Sequence, residues 1–361
     1  MSEVSEQLQE IRALAREFAA AELRPHVERW DQAGALGAEA ITQVAELGFF
    51  GMLLPEAHGG MGFDRATWAA AIEELAWGEP AVALTLVCHA RLTQLVQQHG
   101  APPLQTRWLE ALGAGAASGS IAIAEDEADA LRTTAARVGE DWHITGSKRW
   151  VSGTRPGGAL LVLARADAGP TLFLVPVDDC ARGVRDATLG LRALDVRTVS
   201  IDARVSDDAR IGEPGAAGAL LDGAVALECT GVAAVAVGIA RAALEHAVAY
   251  AGEREQFGQP LREFEGLQLK LADMATRTAA AAALVAAAAR AGDADAARKA
   301  KVFAADTAMA AATEAVQIFG GYGYMRDYPV EKLMRDGRAM SLLGGGNAQH
   351  QLAIARALYA E

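Results

Sequence analysis

The sequence predicts an α+β chain in three parts. An N-terminal α-helical domain spans 1–113, a middle β-barrel or β-sandwich domain 114–213, and a C-terminal four-helix-bundle domain 214–361. Three observations predict it. Apolar residues recur at helical spacing through the first third. Short alternating or apolar runs fill the middle, without the helices a parallel sheet needs between its strands. Long Ala-rich helical stretches then return. No internal repeat is visible.

Taken in order, Val4, Leu8, Ile11, Leu14 and Phe18 mark the first helix, and helical patterns continue over 40–47, 67–75 and 84–98. Gly/Pro turns such as Pro55-Glu56-Ala57-His58-Gly59-Gly60 separate them. Gly113-Ala114-Gly115-Ala116-Ala117-Ser118-Gly119 lacks the Gly-x-Gly-x-x-Gly spacing and reads as a linker. In the middle part, Gly139-Glu140-Asp141 predicts a hairpin turn before Trp142-His143-Ile144. Runs over 159–164 and 171–177 are short and apolar, and Val199 to Val205 alternates apolar with polar. The last part reads as helices over 217–252, 264–291 and 294–319, then a shorter pair.

Composition narrows the function classes. At 52% hydrophobic and 22% charged residues the chain is globular. Its longest uninterrupted apolar stretch, 279–289, falls short of the roughly 20 residues that span a bilayer, so no membrane partner is expected. The acidic N-terminus lacks a signal-peptide core, and Cys88, Cys180 and Cys229 are scattered. Both fit a cytoplasmic protein without disulfides. A net charge of −13 disfavours nucleic acid. The common hydrolase, zinc-protease and phosphate-loop signatures are absent, the seven histidines form no ligand cluster, and no metal site is expected.

One carboxylate stands out. Glu228 interrupts the apolar run Ala224-Val225-Ala226-Leu227-Glu228-Cys229-Thr230-Gly231-Val232, and its helical neighbours are Ala224, Val225, Gly231 and Val232. A lone carboxylate on such a face is costly to bury as a charge, and burial raises a carboxyl group toward the range useful to a base. The alternative is a helix-end or solvated glutamate.

Two segments carry more chemistry. The first is Tyr250-Ala251-Gly252-Glu253-Arg254-Glu255-Gln256-Phe257-Gly258, and the second is Gln317-Ile318-Phe319-Gly320-Gly321-Tyr322-Gly323-Tyr324. An Arg offers a fixed fork of donors to a pyrophosphate, glycines admit close backbone approach, and a Gln both donates and accepts. With these motifs and the helix–β–helix order, the chain resembles the acyl-CoA dehydrogenase family over essentially its whole length.

That resemblance implies FAD, contacted by Arg254, Phe257, Gln317, Gly320 and Gly321 partly across a dimer interface, and hence a homodimer or homotetramer. Gly146-Ser147-Lys148-Arg149-Trp150-Val151-Ser152 looks like the family's Lys-x-Trp-Ile-Thr segment, which places Trp150 against the flavin ring and Ser152 near its N5. The loop that normally touches flavin and substrate is shortened to Ala124-Glu125-Asp126-Glu127-Ala128-Asp129, with Ala124 at the flavin, and Gly346 replaces a polar residue near the cofactor. The base of most members aligns with Gly344. A minority, the isovaleryl- and long-chain acyl-CoA dehydrogenases, carry it on an earlier helix, 22 residues before the Tyr of Tyr-x-x-x-Arg. Counting back, 250 − 22 = 228, which is Glu228.

By resemblance, then, Glu228 removes the α proton of an acyl thioester and the backbone N–H of Gly344 polarises its carbonyl. Hydride passes to flavin N5, giving a trans-2-enoyl thioester. An electron-transfer flavoprotein is the implied acceptor. Cys229 replaces an Arg that often helps hold the CoA nucleotide, so an acyl-carrier-protein substrate stands beside acyl-CoA. The alternatives are a flavin-binding non-catalytic subunit of a mixed oligomer, or an acyl thioester oxidase or monooxygenase.

Overall fold

The computed structural model describes residues 3–126 and 131–359. The N-terminal part contains α1 (Glu3–Phe18), α2 (Val27–Ala33), α3 (Ala38–Glu46), α4 (Arg65–Gly78), α5 (Pro80–His99) and α6 (Pro102–Gly113). Local chemistry sets several ends. The Asp64 side chain accepts the Thr67 N–H at 2.7 Å to cap α4, and Glu79 accepts the Ala81 N–H at 3.0 Å to cap α5, with Pro80 in the first turn.

The β strands are β1 (Gly119–Ala122), β2 (Thr134–Val138), β3 (Asp141–Val151), β4 (Ala159–Ala166), β5 (Gly169–Pro176), β6 (Cys180–Arg185), β7 (Arg197–Ser206) and β8 (Arg210–Ile211). They form one sheet in the order β6-β7-β3-β2-β4-β5-β8, with β1 beside β4. Most pairs are antiparallel, as the alternating runs predict. The parallel β1–β4 pair is reached through the β2–β3 hairpin instead of a crossover helix. Between Lys148 and Val151 the β3–β7 register slips by one residue. This bulge is where Trp150 takes a φ of +54°, and bulges re-aim side chains in this way.

The C-terminal part holds α7 (Ala217–Glu253), a two-strand hairpin of β9 (Glu255–Gln256) and β10 (Gln259–Pro260), α8 (Glu265–Ala291), α9 (Ala294–Phe319), α10 (Val330–Met340) and α11 (Asn347–Ala357). Alternation along β4 divides two cores. Leu160 and Val162 face the sheet's own interior with Trp142, Phe173 and Ile201, while Leu161 packs with Leu92, Leu109 and Ala224 from the helices. A third core runs without a break from α1 and α4 through α7 to α9 and α10.

Among the described residues two helices, α7 and α8, are long and apolar enough to cross a membrane, which the count of uninterrupted apolar residues over 279–289 misses. Of the most apolar window of α7, 83% is buried inside the protein, whereas the corresponding window of α8 is only 28% buried. The centre of α7 therefore spends its apolar surface on protein core.

Candidate active site

Where α5, α7, β1, β3 and the α10–α11 loop meet there is a cavity of 610 Å³. Glu228, Gly344, Ala124, Trp150 and Ser152 all line it, together with Arg91, Cys88 and Arg149. Five of the eleven residues singled out in the sequence thus share one space. Trp150 is 57% exposed toward it, held there in a left-handed backbone conformation that costs a non-glycine residue free energy.

Glu228 is not a lone buried charge. Its side chain is 18% exposed on the cavity wall, and Arg91 Nη1 donates to its Oε1 at 2.6 Å. Pairing of this kind makes a carboxylate tolerable on an apolar helix. Arg91 comes from the middle of α5 and is itself 8% exposed. Cys88, one residue before His89 on the same helix, contacts Ser152, and burial pushes its thiol up to about 11, so it stays protonated.

Gly344, Gly345 and Gly346 take φ of +64°, +100° and +70°. Such a run favours glycine at every position. The loop is pinned from below. The His350 Nε2–H donates to the Gly344 carbonyl at 2.6 Å, and the Lys301 ammonium donates to Asn347 Oδ1 at 2.8 Å. Burial lowers His350 from its ordinary value and lowers Lys301 to about 8. Cys229 is fully buried, with its Sγ 3.7 Å from His350 Nε2.

The shortened loop begins with a buried ion pair. Lys148 Nζ donates to Glu125 Oε1 at 2.6 Å. Burial opposes ionising Glu125, but Lys148 and the N–H groups of Arg132 and Thr133 hold it down to about 2. Residues 127–129 of that loop lie outside the described residues.

A second cavity of 580 Å³ is lined by Tyr250, Arg254, Phe319, Gly320, Gly321 and Tyr322, and it shares no lining residue with the first. Gly320 needs its φ of +60°, and a Cβ at Gly320 or Gly321 would meet nothing within 4 Å among the described residues, so backbone is open to a ligand. Phe257, 93% exposed, and the exposed Gln317 lie beside this cavity in sequence without lining it. Gly346 begins α11 and lines neither cavity. Among the described residues no group of three His, Cys, Asp or Glu side chains could hold a metal.

The N-terminal domain model of acyl-CoA dehydrogenase matches residues 5–116 and the C-terminal domain model matches 220–359. The chain belongs to the acyl-CoA dehydrogenase family. It is 33% identical to the probable acyl-CoA dehydrogenase fadE25 of Mycobacterium leprae, over 98% of this chain and 95% of that one. The structure of butyryl-CoA dehydrogenase from Megasphaera elsdenii matches with a TM-score of 0.93 and 30% identity, over 100% of this chain and 99% of that one. A glutaryl-CoA dehydrogenase from Mycobacterium smegmatis in complex with FADH2 matches with a TM-score of 0.92 and 26% identity, over 99% and 95%. This acyl-CoA dehydrogenase is accordingly an FAD-dependent oxidoreductase acting on CH–CH bonds.

The residues present fit FAD. An exposed Trp150 and a buried Arg149 Nε that no described residue satisfies face the first cavity. A guanidinium and two open glycines face the second. Sequence reasoning missed Arg91, His350 and Lys301. For Arg91 a signal was present, a single cation inside the apolar run Leu84 to Val96. The supporting roles of His350 and Lys301 depend on tertiary contacts alone.

Proposed function

We propose that this chain dehydrogenates an acyl thioester between Cα and Cβ with Glu228 as the base. One observation carries the reading. A Cβ built on Gly344, where the usual base aligns, would lie 3.8 Å from Glu228 Cδ, so two alternative base positions converge on one point of the cavity.

Arg91 fixes Oε1 of Glu228, which leaves Oε2 to accept the α proton. The Gly344 N–H supplies a donor to the thioester carbonyl. Backbone donors held rigidly at the point where charge develops are worth several kcal/mol in a site that excludes water, and His350 is what holds this loop. Leu343, Val232 and Leu221 line the same cavity and supply apolar surface beside the base. FAD, when bound, supplies the hydride acceptor. Trp150, Ser152 and Ala124 would hold its ring. Arg254, Phe257, Gln317, Gly320 and Gly321 would hold the remainder from a second copy of the chain, because the two cavities of one chain are separate.

The test is an anaerobic titration of the holoprotein with a panel of acyl-CoA and acyl-carrier-protein thioesters. Wild type bleaches the flavin with at least one of them, and Glu228→Gln slows bleaching by about 10³-fold or more. Equal bleaching by both proteins would remove Glu228 from the role. The responding thioester identifies the carrier. Re-oxidation of the bleached enzyme by an electron-transfer flavoprotein, faster than by air, identifies the acceptor.

A further inference from the structure

Arg91 offers more hydrogen bonds than the protein uses. Among the described residues the only side chain it bonds is Glu228, through Nη1. Its Nε is buried, and among the described residues no acceptor reaches it or Nη2. A guanidinium presents five N–H donors, and a carboxylate binds side-on along its Nε–Nη2 edge through two parallel bonds. That edge is the free one. The side chain is nine-tenths buried and lines the same cavity as Glu228 and Gly344, among Leu84, Val87 and Val232.

An aliphatic acyl chain would fill this space and leave the buried Nε donor unmet, a desolvation cost without a compensating bond. We propose that Arg91 determines specificity: the acyl group this enzyme takes ends in a carboxylate, placed a few bonds beyond Cα, that binds the free edge of the guanidinium. This rests on the reading of the cavity as the acyl thioester site. Selection and chemistry are coupled. One guanidinium then holds the acyl terminus on one edge and orients Oε1 of the base through Nη1.

The test uses reduced holoenzyme under nitrogen, which cannot take another hydride, so binding is read without turnover. Calorimetry compares butyryl-pantetheine with succinyl- and glutaryl-pantetheine, because pantetheine is common to coenzyme A and carrier proteins. Wild type is expected to bind the better dicarboxylyl thioester at least tenfold more tightly than butyryl. Arg91→Leu reverses that order. Arg91→Lys, which keeps a charge beside Glu228 without the fork, loses most of the preference. Tighter binding of butyryl by wild type, a ratio unchanged in Arg91→Leu, or no binding of any of the three overturns the inference. Flavin bleaching of the oxidised enzyme separates the two claims. Bleaching with an Arg91-independent ratio removes this inference alone. An Arg91-dependent ratio with no bleaching by any thioester removes the dehydrogenase reading and leaves Arg91 as a carboxylate receptor.

Discussion

A Cβ placed on Gly344 stands 3.5 Å from Glu228 Cγ and 3.3 Å from Val232 Cγ2. The α10–α11 loop and α7 therefore compete for the same volume. A Cβ on the loop would already be in van der Waals contact with the stem of Glu228, and a longer side chain there would need the volume of its carboxylate.

Gly344→Ala tests that competition. At φ +64° a Cβ costs about 1 kcal/mol, and Val232 must also give way. The expected result is a Tm lowered by a few degrees, unchanged flavin content, and flavin reduction at least tenfold slower in stopped flow. Full-speed reduction would show that the loop yields freely.

Lys332 holds two buried carboxylates together. It donates to Asp336 Oδ2 at 2.7 Å and lies 3.0 Å from Glu79 Oε2. Burial works against its charge, but Asp336 and Glu79 raise its pKa above the ordinary lysine value. Lys332→Met strands both acids and is expected to cost about 3–5 kcal/mol in urea unfolding. Adding Glu79→Gln and Asp336→Asn should restore much of it. No recovery in the triple variant would mean that packing around Lys332, and not charge, sets the loss.

Two histidines tie stability to pH. Burial lowers His89 and His246 from 6.5 to about 4. His89 Nδ1 accepts the Gly119 N–H at 3.0 Å, and His246 Nε2 faces Arg24 Nη2 at 2.8 Å. Between about pH 4 and 6.5 the unfolded chain binds protons that the folded chain refuses. Stability therefore falls on acidification through that window, by up to roughly 1.4 kcal/mol per pH unit for each histidine, and this contribution levels off below it. Urea midpoints at pH 4.5, 5.5 and 6.5 should slope less in His246→Gln than in wild type.

Much of this was legible in the sequence. Helical periodicity located α3, α4, α5 and the long C-terminal helices within a few residues, because each buries a face against a continuous core. Short apolar runs located β4 and β5, and alternation located β7. The shift at Trp150 was not visible, since a bulge adds one residue without changing the apolar pattern. Nor was the partner of Glu228. The two residues are 137 apart, and only packing of α5 on α7 brings Arg91 to it. The sequence shows a carboxylate on an apolar helix face but not the guanidinium that pairs with it.

The length of α7 has a genetic consequence. With a rise of 1.5 Å per residue, the 26 residues from Glu228 to Arg254 place the two about 39 Å apart on one rod. If each flavin is held by the base end of one chain and the arginine end of another, the two functions belong to different sites. A Glu228→Gln chain and an Arg254→Ala chain, each inactive alone, would then form a hybrid dimer with one doubly damaged site and one wild-type site. Co-expression of two dead alleles would recover activity, and the recovered fraction would count hybrid assemblies.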